Sequence, residues 1–551
     1  MTTYTALTIG PIYDTFTQAK LTRSIWAASY FFSLFIRKTL ELAIENDWEV
    51  ILPYDKLLKN EKIRGTTKGE HGAGLYADRL YFINKSKSDV QELVDNTIDF
   101  FAKDICKQDK KQSIEQVRCF LKNYLNVHIV EITLTKEQID VIEASTDNEG
   151  NSDNSVLKIL NDLLDNKELN KKYAFEINKN PLIEYFVTKW NDNTALKEDA
   201  FGIEKGRHFK SIAEISTVDL TTDDNKARYN DLLTDDFRNE DIEFIDLLKK
   251  DKVFKDQLKD YHKYYAVLYA DGDNIGALLR KVANNKDKLK NFSKLLLQFG
   301  LAAEKSINNY GGSAIYLGGE DILVFLPIAY NDGEQIKSLA LLIKDLDRDF
   351  HETLGKYADD QGVKVPTLSY GLMLSYYKFP MRESMTQAHK MLEKCKHDEN
   401  LFKEKNGVSV RFHKHSGQYT ECFIDKSKIE STKQIYELLT SELKGKDKKD
   451  TLSGLIQRLK DDLFFTTFVN SVRKDRVESF VQNFFNEKIH EEGKSSFIQR
   501  FVSLSQALKK DYLTESGNKD KENDENRQYR DILFTVLRYY QFIQPKNKEA
   551  K

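Results

Sequence analysis

The stretch from Tyr316 to Pro327 has the sequence YLGGEDILVFLP, in which a glycine pair and an acidic pair separate two apolar runs. Short apolar runs that flank a glycine pair predict two buried strands joined by a tight turn. The turn carries Glu320 and Asp321, two adjacent carboxylates that repel each other and are costly to bury without a cation or strong donors. We therefore expect a positively charged group at this hairpin.

The residues around this hairpin, 254–425, alternate between strand and helix patterns. The strand YYAVLYA and the helix KLKNFSKLLLQFGLAAEKSINNY precede it. The helix EQIKSLALLIKDLDRDFHETLGKY, the strand TLSYGLMLSYY, the helix MRESMTQAHKMLEKC and the strand GVSVRFH follow it. This order, β-α-β-β-α-β with additions, predicts a ferredoxin-like domain over 254–425.

The other segments complete an α+β protein. Residues 1–134 show a looser alternation, from the strand YTALTIG to the strand VHIVEITL, which predicts an α+β layer. Residues 135–253 are predicted to be a mainly helical insert, broken by the polar loop ASTDNEGNSDNS. Residues 426–551 are predicted to be a helical domain, with TESGNKDKENDENRQ as a solvated loop.

Composition limits the class of protein. The chain has 551 residues and a formal net charge of -3, so we expect any contact with RNA to be confined to patches. No apolar run is long enough to cross a membrane, and the N-terminus lacks the layout of a secretory signal. The four cysteines are scattered without CxxC spacing. We expect a cytoplasmic protein without a disulfide framework or a zinc site.

A second acidic motif, YADGDNIGALL, follows the first strand of the predicted ferredoxin-like domain. In a β-α-β-β-α-β sheet this strand lies beside the hairpin, so Asp271 can meet Glu320 and Asp321 at one edge. Mg²⁺ prefers such hard oxygen ligands and takes its remaining ligands from phosphates and water. A lone GGED turn with solvated acids is the alternative, but the two motifs together favour a metal and nucleotide site for nucleotidyl transfer.

The glycines of both motifs fit the same interpretation. Gly318 and Gly319 allow a tight turn and a close approach of the backbone. Gly272 and Gly276 would let the turn from strand to helix point N–H groups at phosphates near a helix N-terminus.

These motifs resemble a known family. The pairing of YADGDNIG with YLGGEDILVFLP resembles the Palm (polymerase/cyclase) domain of the large subunit of type III CRISPR effector complexes. The stretches IGPIYDTFTQAKLTRSIWAASYFFS and ADRLYF in the first segment resemble the type III-B (Cmr) branch of that subunit. So does YYKFPMRESMTQAHKMLEKCK followed by VSVRFHKHSG in the third segment.

The resemblance implies a subunit that works with other Cmr subunits, binds guide CRISPR RNA, senses target RNA and polymerises ATP into an oligoadenylate second messenger. It implies that Asp271, Glu320 and Asp321 are catalytic and hold two Mg²⁺ or Mn²⁺ ions. It also implies that the first segment is a degenerate Palm-like domain and the last a helical bundle. The residues that would contact the nucleotide are Gly272, Asp273, Asn274, Ile275, Gly276, Gly318, Gly319 and Lys396, the last in the position of the family's phosphate-contacting lysine.

The chain departs from the family pattern in three places. The family's usual hairpin is Gly-Gly-Asp-Asp, whereas the third position here is Glu320; a longer carboxylate still reaches a metal, so we expect activity to survive. The chain starts directly at the Palm-like segment, and its one HD dipeptide, His397-Asp398, lies in a charged stretch without clustered histidines. We therefore expect no HD nuclease. The cysteines that a zinc module would need are absent from the insert.

Two other functions stay open. Some members of the family that lack the nuclease join AMP from ATP to S-adenosylmethionine instead of building oligoadenylate, and both reactions need the same metals. A protein of another class, a catalytically silent scaffold that only holds RNA, would have no reason to bear the repulsion of the three carboxylates.

Overall fold

The computed structural model describes most of the chain. The described residues are 1–18, 21–54, 73–108, 113–144, 155–169, 209–233, 244–333, 335–398, 401–402, 404–441, 448–484, 495–513 and 519–544. The predicted loop ASTDNEGNSDNS falls almost wholly outside these ranges. Together the strands and helices form a mixed α+β structure, as the sequence predicts.

The first sheet lies within residues 1–134 and has the strand order β2-β3-β1-β4. Its strands are β1 (Thr2–Gly10), β2 (Glu49–Leu52), β3 (Arg79–Ile83) and β4 (Asn126–Leu134). The helices of this segment are α1 (Ile12–Gln18), α2 (Thr22–Glu45), α3 (Lys87–Gln108) and α4 (Ile114–Tyr124). Helix α2 is buried over most of its length, because large apolar side chains such as Trp26, Phe31 and Phe35 are completely enclosed.

The second sheet has six strands in the order β12-β11-β10-β5-β7-β6. Its strands are β5 (Tyr264–Asp273), β6 (Ser313–Gly318), β7 (Asp321–Pro327), β10 (Thr367–Tyr376), β11 (Gly407–His413) and β12 (Tyr419–Asp425). Helices α10 (Ile275–Val282) and α11 (Lys286–Asn309) connect β5 to β6, and α14 (Met381–His397) connects β10 to β11. The helices between β7 and β10 include α12 (Leu339–Phe350) and α13 (Lys356–Asp360).

Both sheets have the ferredoxin-like topology. In the second sheet, β10, β5, β7 and β6 are adjacent and antiparallel, which places the four strands of the β-α-β-β-α-β unit in the order fourth, first, third, second. In the first sheet, β4, β1, β3 and β2 follow the same order with the same antiparallel pairing. The fold predicted for 254–425 is therefore present, and 1–134 repeats its topology.

The described parts of 135–253 and 426–551 are helical. In the former they are α5 (Lys136–Ala144), α6 (Val156–Glu168), α7 (Ile212–Ser216), α8 (Lys226–Leu232) and α9 (Phe244–Lys250). In the latter they are α15 (Ile429–Leu439), α16 (Lys448–Arg458), α17 (Asp462–Arg473), α18 (Val477–Phe484), α19 (Ser495–Tyr512) and α20 (Lys519–Ile543). The four domain boundaries stay predictions. Within the described ranges, no helix is long and apolar enough to cross a lipid bilayer.

Two predicted elements differ from the structure. The helix predicted from Glu334 begins only at Leu339, because Ile336–Ser338 forms strand β9 and pairs with β8 (Ala329–Asn331). The predicted loop TESGNKDKENDENRQ is helical from Lys519 onward. Its lysine, glutamate, glutamine and arginine residues are good helix formers, and the buried Tyr529 anchors the exposed first turns to the core.

The two sheets are joined through a short segment that precedes β3. Gly74 pairs with Tyr316 of β6 in a parallel bridge, and its carbonyl oxygen accepts a hydrogen bond of 2.9 Å from the Leu317 N–H. The buried Glu304 carboxylate accepts a hydrogen bond from the Ala73 N–H. This contact places the first sheet beside the hairpin edge of the second.

Candidate functional site

The strand register brings the two acidic motifs to one edge of the second sheet. Ala270 of β5 pairs with Ile322 of β7, so the next residues outward, Asp271 and Asp321, face each other across the two strands. Gly318 pairs with Asp321 to close the hairpin, which leaves Gly319 and Glu320 at its tip. The register therefore places Asp271, Glu320 and Asp321 at the same edge of the sheet.

Two glycines position Glu320 against the end of β5. Gly319 has a φ of +71°, in the left-handed region that favours glycine. At Gly272, a Cβ atom would lie 2.8 Å from Glu320 Cβ and 2.7 Å from Ile275 Cγ1, which is closer than carbon atoms normally approach. The glutamate therefore packs directly on the backbone of residue 272, and a larger residue there would displace it.

The positive group next to the acidic motifs is Lys396, in the last turn of α14. Its Nζ lies 2.8 Å from Asp271 Oδ2 and 3.4 Å from Asp273 Oδ1, and it donates a hydrogen bond of 2.9 Å to the Gly272 carbonyl oxygen. Only 11% of the lysine side chain is exposed. The ammonium thus neutralises the carboxylates at the end of β5 rather than those of the hairpin.

Asp273 is fully buried and holds the neighbouring backbone together. Its Oδ2 accepts hydrogen bonds from the hydroxyls of Thr367 and Ser369 and from the Asn406 N–H, at 3.1, 2.7 and 3.0 Å. Its Oδ1 has no hydrogen-bond partner, and the nearest charge is that of Lys396. The side chain therefore supports β5, β10 and the loop before β11, while its second oxygen faces the lysine.

Both carboxyl groups of the hairpin have raised pKa values, so their charged forms are disfavoured. Burial raises the pKa of Glu320 above its ordinary value, and the charge of Asp271 raises it further. Although Asp321 is exposed at the sheet edge, desolvation by the surrounding protein strongly raises its pKa, and so do the charges of Glu320 and Asp271. Burial lowers the pKa of Lys396, but Asp271 and Asp273 outweigh this effect and raise it. One ammonium does not balance the acids, so the site favours a further cation.

The donor chemistry fits a divalent ion that also takes ligands from a nucleotide. In the described part of the chain, no three Asp, Glu, His or Cys side chains are grouped closely enough to hold a metal ion by themselves. Mg²⁺ commonly binds through one or two carboxylates and completes its octahedron with substrate phosphates and water. Asp271 and the hairpin acids, together with the Gly272 carbonyl, offer hard oxygen donors of this kind. The assignment of all three carboxylates as metal ligands stays a prediction.

The turn after β5 is built differently from the sequence-based expectation. The residue in the left-handed region is Asn274, with a φ of +64°, and it precedes the first residue of α10. Ile275 is buried, and Gly276 lies in the first turn of the helix, where a Cβ would meet its nearest neighbour at 3.6 Å. The N–H groups at the start of α10 lie at the same end of β5 as Asp271, which suits a phosphate.

Sequence reasoning missed one acidic residue near the site. Asp78, which lies just before β3, accepts a hydrogen bond from the Thr8 hydroxyl at 3.3 Å. Its charge contributes to raising the pKa of both Asp321 and Tyr316. No spacing in the sequence links Asp78 to the hairpin, because the two are brought together only where the first sheet packs against the second.

Comparisons with known proteins agree with this fold. Residues 264–408 match the family model described as Cas10/Cmr2, second palm domain. The fold is similar to a chain in a cryo-EM structure of a type III-B Cmr-beta complex in the apo state, with a TM-score of 0.52 and 12% identity over 89% of this chain and 78% of that chain. The same complex bound to cognate target RNA gives a TM-score of 0.53 and 11% identity over 89% and 79% of the two chains.

A crystal structure of a Csm1-Csm4 cassette in complex with cA4 aligns with a TM-score of 0.48 and 14% identity over 92% of this chain and 69% of that chain. No curated protein sequence matches the chain. The family match covers β5, the GGED hairpin, β10 and α14, which are the elements that build the site. The match therefore supports the resemblance over residues 264–408, the segment that contains the site.

Proposed function

We propose that this chain is an RNA-activated nucleotidyltransferase subunit of a type III-B CRISPR effector complex, which uses ATP and a divalent metal to make an oligoadenylate second messenger. The observation that carries the proposal is the arrangement of Asp271 against the Glu320–Asp321 hairpin, with Lys396 between neighbouring oxygen atoms, inside a segment that matches the Cas10/Cmr2 second palm domain. A scaffold that only holds RNA would gain nothing from this costly group of charges.

Each part of the site has a role in this reaction. Asp271 and the hairpin carboxylates would hold the metal ions. A bound divalent ion would lower the pKa of an attacking hydroxyl and neutralise charge on the pyrophosphate leaving group. The N–H groups at the start of α10 would bind phosphate oxygens. The attacking hydroxyl would lose its proton to solvent as its oxygen forms a bond to the α-phosphorus of ATP. The bond from that phosphorus to the oxygen that bridges the α- and β-phosphates would break, and pyrophosphate would leave with the bridging oxygen.

The proposed partners are other Cmr subunits, a guide CRISPR RNA and a target RNA. Support comes from the similarity in fold to a chain of a Cmr-beta complex, which has been solved with cognate target RNA bound. The resemblance described above implies that target RNA activates the subunit only in the assembled complex. The appropriate sample for a test of activity is therefore the complex rather than the isolated chain.

The test is pyrophosphate release by the assembled complex with target RNA, ATP and Mg²⁺ or Mn²⁺. The double variant Glu320→Ala, Asp321→Ala should lose pyrophosphate release by more than about 10²-fold, because it removes two of the three carboxylates that would hold the metal ions, while RNA binding persists. The matched control is Asp359→Ala, Asp360→Ala, another adjacent acidic pair, which is exposed at the end of α13. Unchanged turnover in the hairpin variant would remove the assignment of this site.

The identity of the product is a separate measurement. Mass spectrometry of the reaction products, with and without S-adenosylmethionine, separates an oligoadenylate from an AMP conjugate of that cofactor. Oligoadenylate in both samples supports the proposal. A product that forms only when S-adenosylmethionine is present would establish the alternative, with the same carboxylates in the same roles.

A further inference from the structure

One basic side chain contacts the oxygen atoms at the end of β5 that a divalent cation would use as ligands. Lys396 Nζ lies 2.8 Å from Asp271 Oδ2 and 2.9 Å from the Gly272 carbonyl oxygen, with Asp273 Oδ1 at 3.4 Å. The three oxygen atoms belong to consecutive residues. An ammonium group has three donors and no acceptor, so it suits a group of three oxygen atoms, of which two lie within 3 Å of it.

The same oxygen atoms are the ligands that a small divalent cation prefers. Mg²⁺ binds carboxylate and carbonyl oxygens at about 2.0–2.1 Å. A dication that shares Asp271 Oδ2 and the Gly272 carbonyl oxygen with the ammonium would be close enough to repel it. Lys396 and a metal ion therefore compete for these oxygen atoms.

We propose that Lys396 is a built-in counter-ion that competes with the divalent metal for Asp271, so that the metal binds weakly until a nucleoside triphosphate draws the ammonium away. This inference rests on the proposed function, from which it takes the metal and the triphosphate. Lys396 is carried by a flexible four-carbon stem in the last turn of α14, so its charge can move without a backbone change.

The buried carboxylate of Asp273 favours the return of Lys396 to its position beside Asp271. Its Oδ1 is buried and has no hydrogen-bond partner, so Lys396 supplies the charge that compensates this atom. When the ammonium turns toward a phosphate, the buried carboxylate oxygen loses that compensation, which is costly for an atom without access to water. After the products leave, the lysine returns to Asp271 and Asp273, and the metal affinity falls again. Metal and triphosphate binding thus reinforce each other, and by linkage the effect is reciprocal.

The direct test is binding of Mn²⁺ alone to the nucleotide-free full chain, measured from the electron paramagnetic resonance signal of free Mn²⁺. Lys396→Met removes the charge and keeps a chain of similar length, so it should bind Mn²⁺ at least about tenfold more tightly than the wild type, because the competing ammonium is gone. Lys396→Arg keeps the charge and should remain within about threefold of the wild type. Equal or weaker Mn²⁺ binding by Lys396→Met would overturn the competition.

A second measurement needs no variant and covers a failure of Lys396→Met to fold. Labelling of lysine amines in the wild-type chain, read by mass spectrometry, should become several-fold faster at Lys396 when Mn²⁺ is added without nucleotide. Lys394 on the same helix pairs with Glu421 at 3.0 Å and serves as the internal reference, whose rate should not change. An unchanged rate at Lys396 in the presence of bound Mn²⁺ would refute the inference.

The two experiments also separate this inference from the proposed function. If Mn²⁺ fails to bind even with a non-hydrolysable ATP analogue, the metal-dependent function fails and the inference fails with it. Suppose instead that Mn²⁺ binds with the analogue, that Lys396→Met does not change the affinity for Mn²⁺ alone, and that Mn²⁺ does not change the labelling rate of Lys396. In that case only the inference fails.

Discussion

An alanine at position 272 would damage the site through steric contact alone. Its methyl group would lie 2.8 Å from Glu320 Cβ and 2.7 Å from Ile275 Cγ1. Carbon atoms pack best at about 3.5–4.0 Å, so the neighbours would have to withdraw by about 0.7–1.3 Å. Overpacking of this size costs about 1–3 kcal/mol of folding free energy. A shift of about 1 Å in a reacting group can also lower the rate by about 10²-fold.

The assay combines urea unfolding of the chain with pyrophosphate release by the assembled complex. Gly276→Ala is the matched control, because a methyl group there would meet its nearest neighbour, Arg280 Nη1, at an ordinary 3.6 Å. This variant should be more stable than the wild type by up to about 1 kcal/mol, since alanine favours the helix. Because Gly276→Ala keeps the backbone N–H through which this residue would contact phosphate, we expect pyrophosphate release to stay within a few-fold of the wild type.

Two results would refute this reasoning. If Gly272→Ala releases pyrophosphate within fivefold of the wild-type rate, the position of Glu320 on the residue 272 backbone is not needed for turnover. If Gly276→Ala is as damaging as Gly272→Ala, the whole turn needs glycine for some purpose other than the packing of Glu320.

Three other variants test the energetics of the site and of the scaffold. Because burial and the charges of Glu320 and Asp271 raise the pKa of Asp321 above its usual value of 3.8, ionisation of this residue destabilises the fold. Asp321→Asn should therefore raise the melting temperature at pH 7, and the gain should vanish as the pH falls below 3.8. Asp219→Ala removes the acceptor of buried hydrogen bonds from Tyr261 at 2.9 Å and His262 at 2.7 Å. Urea unfolding should show that the free energy of unfolding falls by about 3 kcal/mol. A fall of less than about 1 kcal/mol would contradict this reasoning. Gly319→Ala should lower the free energy of unfolding by about 1 kcal/mol, because φ is +71° while an added Cβ would meet no neighbour. Gly319→Asn should lower it by less. Equal unfolding free energies for the two variants would argue against backbone strain at this position.

Local patterns predicted the strands and helices that build the site. The apolar runs of β5 and β7, the glycine pair between β6 and β7 and the helical period of α11 and α14 are all properties of neighbouring residues. Once the order β-α-β-β-α-β is recognised, short connections leave few possible topologies, and the observed strand order is the expected one. The same patterns are weaker at chain segments without a strong apolar period, which is why β9 and the start of α20 were predicted wrongly.

Burial inside the site could not be predicted from the same patterns. Asp273 stands two positions after Asp271 in one acidic motif, and the sequence treats both as exposed to a ligand. In the structure Asp273 is fully buried and bonded to Thr367, Ser369 and Asn406. Which of two nearby carboxylates points into the protein depends on what packs beside the strand end, and the sequence of the motif does not contain that information.

The amino-acid sequence by itself determined that two carboxylate motifs would end adjacent strands and that a cation would have to accompany them, because repulsion between like charges does not depend on the rest of the fold. Only the tertiary structure decided that the cation is paired with Asp271 rather than with the hairpin, and that Asp78 from the other sheet approaches Asp321. Contacts of this kind join residues that are far apart in the chain. Tertiary packing determines which of these residues meet, because local secondary-structure propensity depends only on neighbouring residues in the chain.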